Sequence, residues 1–229
     1  MKKSFSSLIL AIVVSFGAVC AQAAEVTSEA SVLKLRGAAQ IQLPGQTSAT
    51  ALKVGDKVPQ GSIVSTPSKS SLELLVHPGV KATLKPASTV EIEKLSVTSA
   101  AGTISKQTTI LNLKSGTVVS DIDGSKKGLN NYSIRTPKGL ATANGTVYTV
   151  TVTGSNVRIF VAQSTVTFIG TDGKSVIVQA GEMVEISPEG VIGTPQPISD
   201  EATQAIENKD NSVYEIDPSQ VGTVVSPEV

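Results

Sequence analysis

The sequence predicts an all-β protein: a single domain of many short strands in a rolled or sandwich-like sheet. Three observations predict it. Apolar and polar residues alternate, as in Val90-Glu91-Ile92-Glu93. Turn residues punctuate the chain at Gly45, Gly55, Gly61, Pro78-Gly79, Gly116, Gly124, Gly139, Gly154, Asp172-Gly173 and Gly181. No stretch from Ser31 to Ile192 sustains a helical period.

The chain has 229 residues, which fits one domain with appendages. A domain near 150 residues buries roughly 70% of the surface its unfolded chain exposes, so a real core is available. Residues 1–23 read as a secretory signal peptide. Lys2 and Lys3 give a basic start, Leu8–Val14 is apolar, and Ala21-Gln22-Ala23 is a small-residue cleavage site. The apolar run falls short of the roughly 20 residues a span requires. No membrane span is therefore expected after cleavage. Cys20 lacks the flanking residues of a lipoprotein signal, since Gly17 and Val19 stand where Leu and a small residue belong. It is the sole cysteine. If it leaves with the signal, the mature chain has neither disulfides nor thiolate metal sites.

Residues 24–30 are polar and are expected to be a flexible N-terminus. The β domain is expected over 31–192, with strands at Val32–Leu35, Ala39–Leu43, Ser62–Thr66, Ser71–Val76 and Val80–Leu84. Further strands are expected at Thr89–Leu95, Ile110–Leu113, Thr117–Ile122, Tyr132–Thr136 and Leu140–Ala143. The last are Val147–Val152, Val157–Val161, Thr165–Ile169, Ser175–Val178 and Met183–Ile186. The stretch Gly139–Val152 anchors this pattern. Asn144-Gly145 tolerates a tight reversal, and Tyr148, Val150 and Val152 then share one face of a strand. Inward faces are read as Val90 with Ile92, Val157 with Ile159 and Val161, Val166 with Phe168, and Val184 with Ile186. Leu72–Val76 and Ser175–Val178 are apolar on both faces and are expected in the middle of a sheet. From 193 to 229 an acidic, Pro-containing tail follows. Ser199-Asp200-Glu201 could start a short helix through Asn208 with little to bury, and Tyr214, Ile216 and Val221 could dock onto the domain.

Composition excludes several functions. Formal net charge is zero, and basic pairs occur only at Lys2-Lys3 and Lys126-Lys127, so a nucleic-acid partner is not expected. His77 is the lone histidine and lies in a Val-His-Pro-Gly turn, a poor place for the base of a triad. A zinc site fails on ligand count. Asp121-x-Asp123-Gly124 begins like a calcium loop, but Ser125, Lys126 and Lys127 break the pattern. Glu91 and Glu93 share a solvent face. Tryptophan is absent, which removes the aromatic platforms sugars stack on. No catalytic residue, metal or cofactor is expected.

The order of turns and strands resembles the FecR domain family, from about Leu52 to Ile186. Leu52-Lys-Val-Gly55-Asp-Lys resembles the opening turn. Gly61–Thr66 and Ser70–Leu74 resemble the next strands, and Leu111–Val119 with Gly116 the central segment. Arg135-Thr136-Pro137, then Gly145-Thr146 and its strand, are the strongest part, and Val178–Ile186 with Gly181 is similar to the closing strand. Asn144 stands where the family often has Arg, and Gln163-Ser164 where a glycine is common. The resemblance implies that Gly55, Gly61, Gly116, Thr136, Pro137, Gly145, Thr146 and Gly181 are structural motif positions. It implies an exported β module of the cell envelope, periplasmic or extracellular. Such a module would bind or sense an envelope protein or polymer without enzymatic activity. Family regulators relay signals to a sigma factor through a cytoplasmic segment, which a cleavable signal would not supply. A structural protein assembling through strand edges is the alternative, and an unrecognised hydrolase the third reading. Oligomeric state is not readable from the chain.

Overall fold

The structure, a computed structural model, describes residues 23–100, 103–126 and 128–207. Residues 1–22 of the expected signal peptide, with Cys20, as well as Lys127 and the tail residues Tyr214, Ile216 and Val221, lie outside the described residues.

The strands are β1 (Ala24–Thr27), β2 (Glu29–Arg36), β3 (Gln40–Gln42), β4 (Thr50–Ala51), β5 (Lys57–Pro59) and β6 (Ile63–Thr66). Next come β7 (Ser71–His77), β8 (Val80–Leu84), β9 (Ser88–Ala100), β10 (Thr103–Ile122), β11 (Asn130–Thr136) and β12 (Gly139–Ala143). The last are β13 (Val147–Thr153), β14 (Asn156–Val161), β15 (Thr165–Gly170), β16 (Ser175–Gln179), β17 (Glu182–Ile186) and β18 (Gln196–Pro197), followed by helix α1 (Asp200–Glu207).

They form two open sheets that share β10. The front sheet runs β16–β15–β12–β11–β10–β9. Beyond β9 lie β6, β3 and β4 along its first part and β1 along its last. The back sheet runs β5–β2–β7–β8–β10–β13–β14–β17–β18. Each path of pairings ends at an edge strand, so the sheets do not close into a barrel. All the ladders are antiparallel except β10–β11, which is parallel.

The core lies between the sheets. Val64, Val90, Ile92, Leu111, Leu113, Ile134 and Phe168 from the front meet Leu72, Leu74, Leu84, Val118, Val150, Ile159 and Val184 from the back. All are essentially inaccessible to solvent. Alternation along each strand puts these side chains on one face. The expected inward faces at Val90/Ile92, Val157/Ile159/Val161, Val166/Phe168 and Val184/Ile186 are found. Tyr132 and Tyr148 meet edge to face in this core with centroids 6.3 Å apart.

Several local expectations differ from what is found. Ile110–Leu113 and Thr117–Ile122 are one strand, and Gly116 is a bend inside it rather than a reversal. Up to the bend β10 pairs in the front sheet; beyond it β10 pairs in the back sheet. A Cβ on Gly116 would lie 2.4 Å from Ser88 Oγ and 2.5 Å from Ser88 Cα, at φ +86°. Only glycine lets the strand cross between sheets here. Asn144-Gly145 is not a hairpin either. It carries the chain from β12 in the front sheet to β13 in the back sheet, with Gly145 against the Gly124 backbone. Residues 24–27 are not loose but form β1, because β9 extends far enough to offer Ser96–Ser99 as a partner. Ser175–Val178 is an edge strand, not a central one.

The helix expected after Ser199 is α1. Ser199 Oγ accepts the Ala202 N–H at 3.2 Å, as an N-cap should. It buries more than its sequence suggests: Ala202 and Ile206 pack with Val147, Phe160, Ala162 and Ile198 on the outer face of the back sheet.

Candidate functional site

The motif residues mostly hold corners. Gly55 N–H donates to Val32 O at 2.9 Å, in a turn where Asp56 Oδ2 accepts the Lys53 N–H. Gly61 N–H donates to Ile92 O at 2.7 Å. Thr136 Oγ1 donates to Gly139 O at 3.1 Å and accepts from Lys138 N–H at 3.2 Å, which locks the β11–β12 turn around Pro137. Gly181 N–H donates to Val161 O, and Gly181 O accepts from Ile198 N–H, both at 2.8 Å. The structure spreads these positions over the molecule; Thr136 and Pro137 share one turn, and Gly145 and Thr146 share the crossing from β12 to β13. Thr146 is buried; its Oγ1 donates to Gln163 O and its carbonyl accepts from Ile122 N–H at 3.0 Å.

That pair borders a groove of about 300 Å³ lined by Thr142, Asn144, Gly145, Ser164, Thr165 and Thr167. Both departures from the family pattern, Asn144 and Ser164, line it. In the amide orientation that satisfies its surroundings, the Asn144 side-chain nitrogen donates to Asn130 O at 3.1 Å and to Ala143 O at 3.2 Å. The rest of the lining is uncharged, with hydroxyls from Thr142, Ser164, Thr165 and Thr167 beside Gly128, Ala143 and Gly145, and Thr142 faces Thr167 across the β12–β15 ladder.

The groove opens onto the outer face of the β12–β15–β16 end of the front sheet. There Leu140 faces Ile169, and Ile177 faces Thr167. Ile169 is 43% exposed and Ile177 60%. β16 is the edge. Its hydrogen-bond phase follows from two backbone bonds: Gly170 N–H to Lys174 O at 2.8 Å and Ala180 N–H to Ser164 O at 2.9 Å. Antiparallel bonds recur every second residue. Val176 and Val178 therefore bond inward to β15, while Ser175, Ile177 and Gln179 direct N–H and C=O away from the sheet. Gln179 N–H is taken by Glu182 Oε2 at 2.9 Å, which agrees with that phase.

Other edges are blunted. β5 carries Lys57 and Pro59, β18 carries Pro197, β4 has two residues, and β1 carries Glu25. Glu25 is held by Lys94 at 2.8 Å and Ser96 at 2.6 Å, and these partners keep its carboxyl below the usual range. Charge and proline are the common protections of an exposed edge. β16, Ser-Val-Ile-Val-Gln, has neither. Sequence reasoning missed this site because it placed Ser175–Val178 centrally; its short length beside Asp172-Gly173 was the available signal.

The remaining chemistry is structural. His77 is buried at the end of β7, with Nε2 3.4 Å from Thr108 O, and burial holds its pKa below the ordinary value. Asp123 Oδ1 accepts from Ser125 N–H and Oγ at 2.9 and 2.6 Å, and Asp121 pairs with Lys81 at 3.6 Å. Glu91 pairs with Lys114 at 2.9 Å, and Glu93 with Arg135 at 2.6 Å, on the outer front face. Among the described residues no group of three His, Cys, Asp or Glu converges, and no helix is long and apolar enough to cross a membrane.

Comparison with known proteins finds the expected family. Residues 62–167 match FecR, described as FecR protein, inside the range over which the resemblance was expected. No curated protein matches the chain. Two crystal structures titled "a putative anti-sigma factor from Parabacteroides distasonis ATCC 8503" align at 10% identity. Their TM-scores are 0.49 and 0.48. Each alignment covers 62% of this chain and 63% or 62% of the other, less than two thirds of its length.

Proposed function

We propose, from the FecR match over 62–167 and a β16 edge that pairs only with β15 among the described residues, that this chain is an exported, non-enzymatic binding and sensing module of the cell envelope. It engages a protein partner by strand addition. The observation that carries the reading is the outward phase of Ser175 and Ile177 on the unblunted edge. A partner strand laid there gains backbone hydrogen bonds, and its outward side chains meet Ile177 and Ile169. Main-chain bonds give affinity in this mode, and alternate side-chain pockets give selectivity. The uncharged Thr142–Thr165–Thr167 groove adjoins the same edge and would take a residue of the partner. Export rests on the basic start, the apolar Leu8–Val14 and the Ala21-Gln22-Ala23 site. The destination is the periplasm or the exterior.

The test is affinity capture from envelope extract with the wild-type chain and with Ile177→Pro. A discrete protein retained by the first and lost by the second supports the reading. Equal retention by both contradicts it. The same edge could instead pair with a second copy. In that case gel filtration shows concentration-dependent species that Ile177→Pro abolishes.

A further inference from the structure

One end of the sandwich is held by the tip of the β7–β8 hairpin. His77, the last residue of β7, stands opposite Val80 after a register shift that follows Leu75. Val80 belongs to the core, so the imidazole points inward with it, and His77 is only 4% exposed. Its Nε2 lies 3.4 Å from Thr108 O, on the front-sheet limb of β10. In the turn that follows, Gly79 O accepts the Asp123 N–H at 2.8 Å, just past the back-sheet limb of the same strand. The tip therefore touches both limbs of β10.

From there, bonds continue to the groove. Beside Thr108, Gln107 N–H donates to Leu129 O at 2.7 Å, and beside Asp123, Ile122 N–H donates to Thr146 O at 3.0 Å. In its satisfied orientation the Asn144 nitrogen lies 3.1 Å from Asn130 O, and Asn144 and Gly128 line the groove. The same end is short of bonds. Gln107 and Asn130 face each other across the β10–β11 ladder, each 3% exposed. Gln107 Oε1 and both polar atoms of the Asn130 side chain have no hydrogen-bond partner among the described residues. Water would satisfy those atoms on opening, which makes this end cheaper to open than the rest of the core.

We propose that His77 is an acid-sensitive clamp on this end: the neutral ring holds the tip against β10, and the protonated ring releases it and loosens the Gly128–Asn144 wall of the groove. As regulation of the binding edge the clamp rests on the strand-addition reading; as a local opening it needs no partner. An imidazolium requires water or an anion, and the ring's printed contact in this dry site is a carbonyl. The charged groups around it are Glu73 and Lys81 at outer positions of β7 and β8, and Asp121, which pairs with Lys81. Lys106 precedes Thr108 on β10, and Asp123 and Lys126 lie beside Gly79. None of these charges adds to the ring's shift: burial holds its pKa below the ordinary value, opposed by the Thr108 carbonyl. Opening is thus favoured as pH falls below the exposed-histidine value of about 6.5, and the gain stops at the native value.

The test is amide hydrogen exchange on the free full chain, corrected for intrinsic rates, from about pH 7.5 to about 5.5. The clamp predicts that protection at Gln107, Ile122 and Asp123 falls about threefold or more, against a ceiling of about tenfold per pH unit for one proton. Leu52 and Gly193, whose N–H groups donate to Ala39 O and Glu185 O elsewhere, should keep their protection, and His77→Gln should abolish the fall. An equal fall at every one of these amides, or no fall, overturns the proposal. So does a fall confined to Asp123, because the tip would then open without reaching the groove. Should His77→Gln fail to fold, the wild-type chain is read alone. The fall must stop at the pH where the signal of the sole histidine titrates, and a fall that runs on past it overturns the proposal. Exchange is read without a partner, so its failure is distinct from a failure of capture at the β16 edge.

Discussion

Ile177 stands opposite Thr167 in the β15–β16 ladder as a non-hydrogen-bonded pair, so its N–H and C=O point off the edge of the front sheet. This separates what β16 needs to fold from what it offers to a partner. Proline at an edge is tolerated where the N–H faces outward. Ile177→Pro should therefore lower Tm by only a few degrees, about 1 kcal/mol, while removing capture of the partner. Val178→Pro, which breaks an inward bond, should cost about 3 kcal/mol. Thermal melts of the two variants check the phase directly; equal losses would mean the assignment is reversed.

Gly116 is where β10 changes sheets. Gly116→Ala meets both a left-handed φ and Ser88 at under 3 Å, and should cost about 3 kcal/mol or more. Gly154, at φ +58° with nothing within 4 Å of its Cβ position, is the control; Gly154→Ala should cost about 1 kcal/mol. Denaturant midpoints of both variants measure the difference, and similar losses would show that the bend is not crowded.

The two buried tyrosines differ in one bond. Ser120 Oγ donates to Tyr132 OH at 3.0 Å, whereas Tyr148 OH approaches the same Ser120 without completing a hydrogen bond of full geometry. Tyr132→Phe should cost about 1 kcal/mol and Tyr148→Phe less than about 0.5 kcal/mol at neutral pH. Burial pushes both phenols well up. A raised native pKa means the stability is fully present below the unfolded value near 10 and is lost as pH climbs through the native value. Chemical denaturation should thus show a stability that falls above about pH 10, less steeply in Tyr148→Phe.

His77 acts in the opposite direction. Burial depresses its pKa below 6.5, against the weaker pull of the Thr108 carbonyl. Its contribution is present above the unfolded value and is lost as pH falls toward the native one. The stability difference between wild type and His77→Leu should shift against wild type between pH 7.5 and about 5. Parallel curves for the two proteins would show that His77 titrates alike in the folded and unfolded states.

Much of the fold was legible because alternation and turn chemistry are local. Val80–Leu84 was placed to the residue, and the hairpin at Asp172-Gly173 was found. What was not legible depends on which strand lies beside which. Asn144-Gly145 looks like a hairpin turn, but β12 and β13 belong to different sheets. Gly116 reads as a stop, but the strand bends and continues. Ser175–Val178 reads as central because it is apolar, yet an apolar strand at an edge has the same letters. The proposed binding edge lies in that last ambiguity. Ile206 was misjudged likewise, since its burial depends on Phe160 and Ala162, contributed by a distant strand and its end.

The central claim is that the β16 edge receives a strand from another protein. A photo-crosslinking side chain placed at Ile177 in intact producing cells tests it most directly, with Val191, 66% exposed and outside the named strands, as the control position. The account predicts one discrete adduct with an envelope protein from position 177 and none of that species from position 191. The same adduct from both positions, or none from 177, would contradict it.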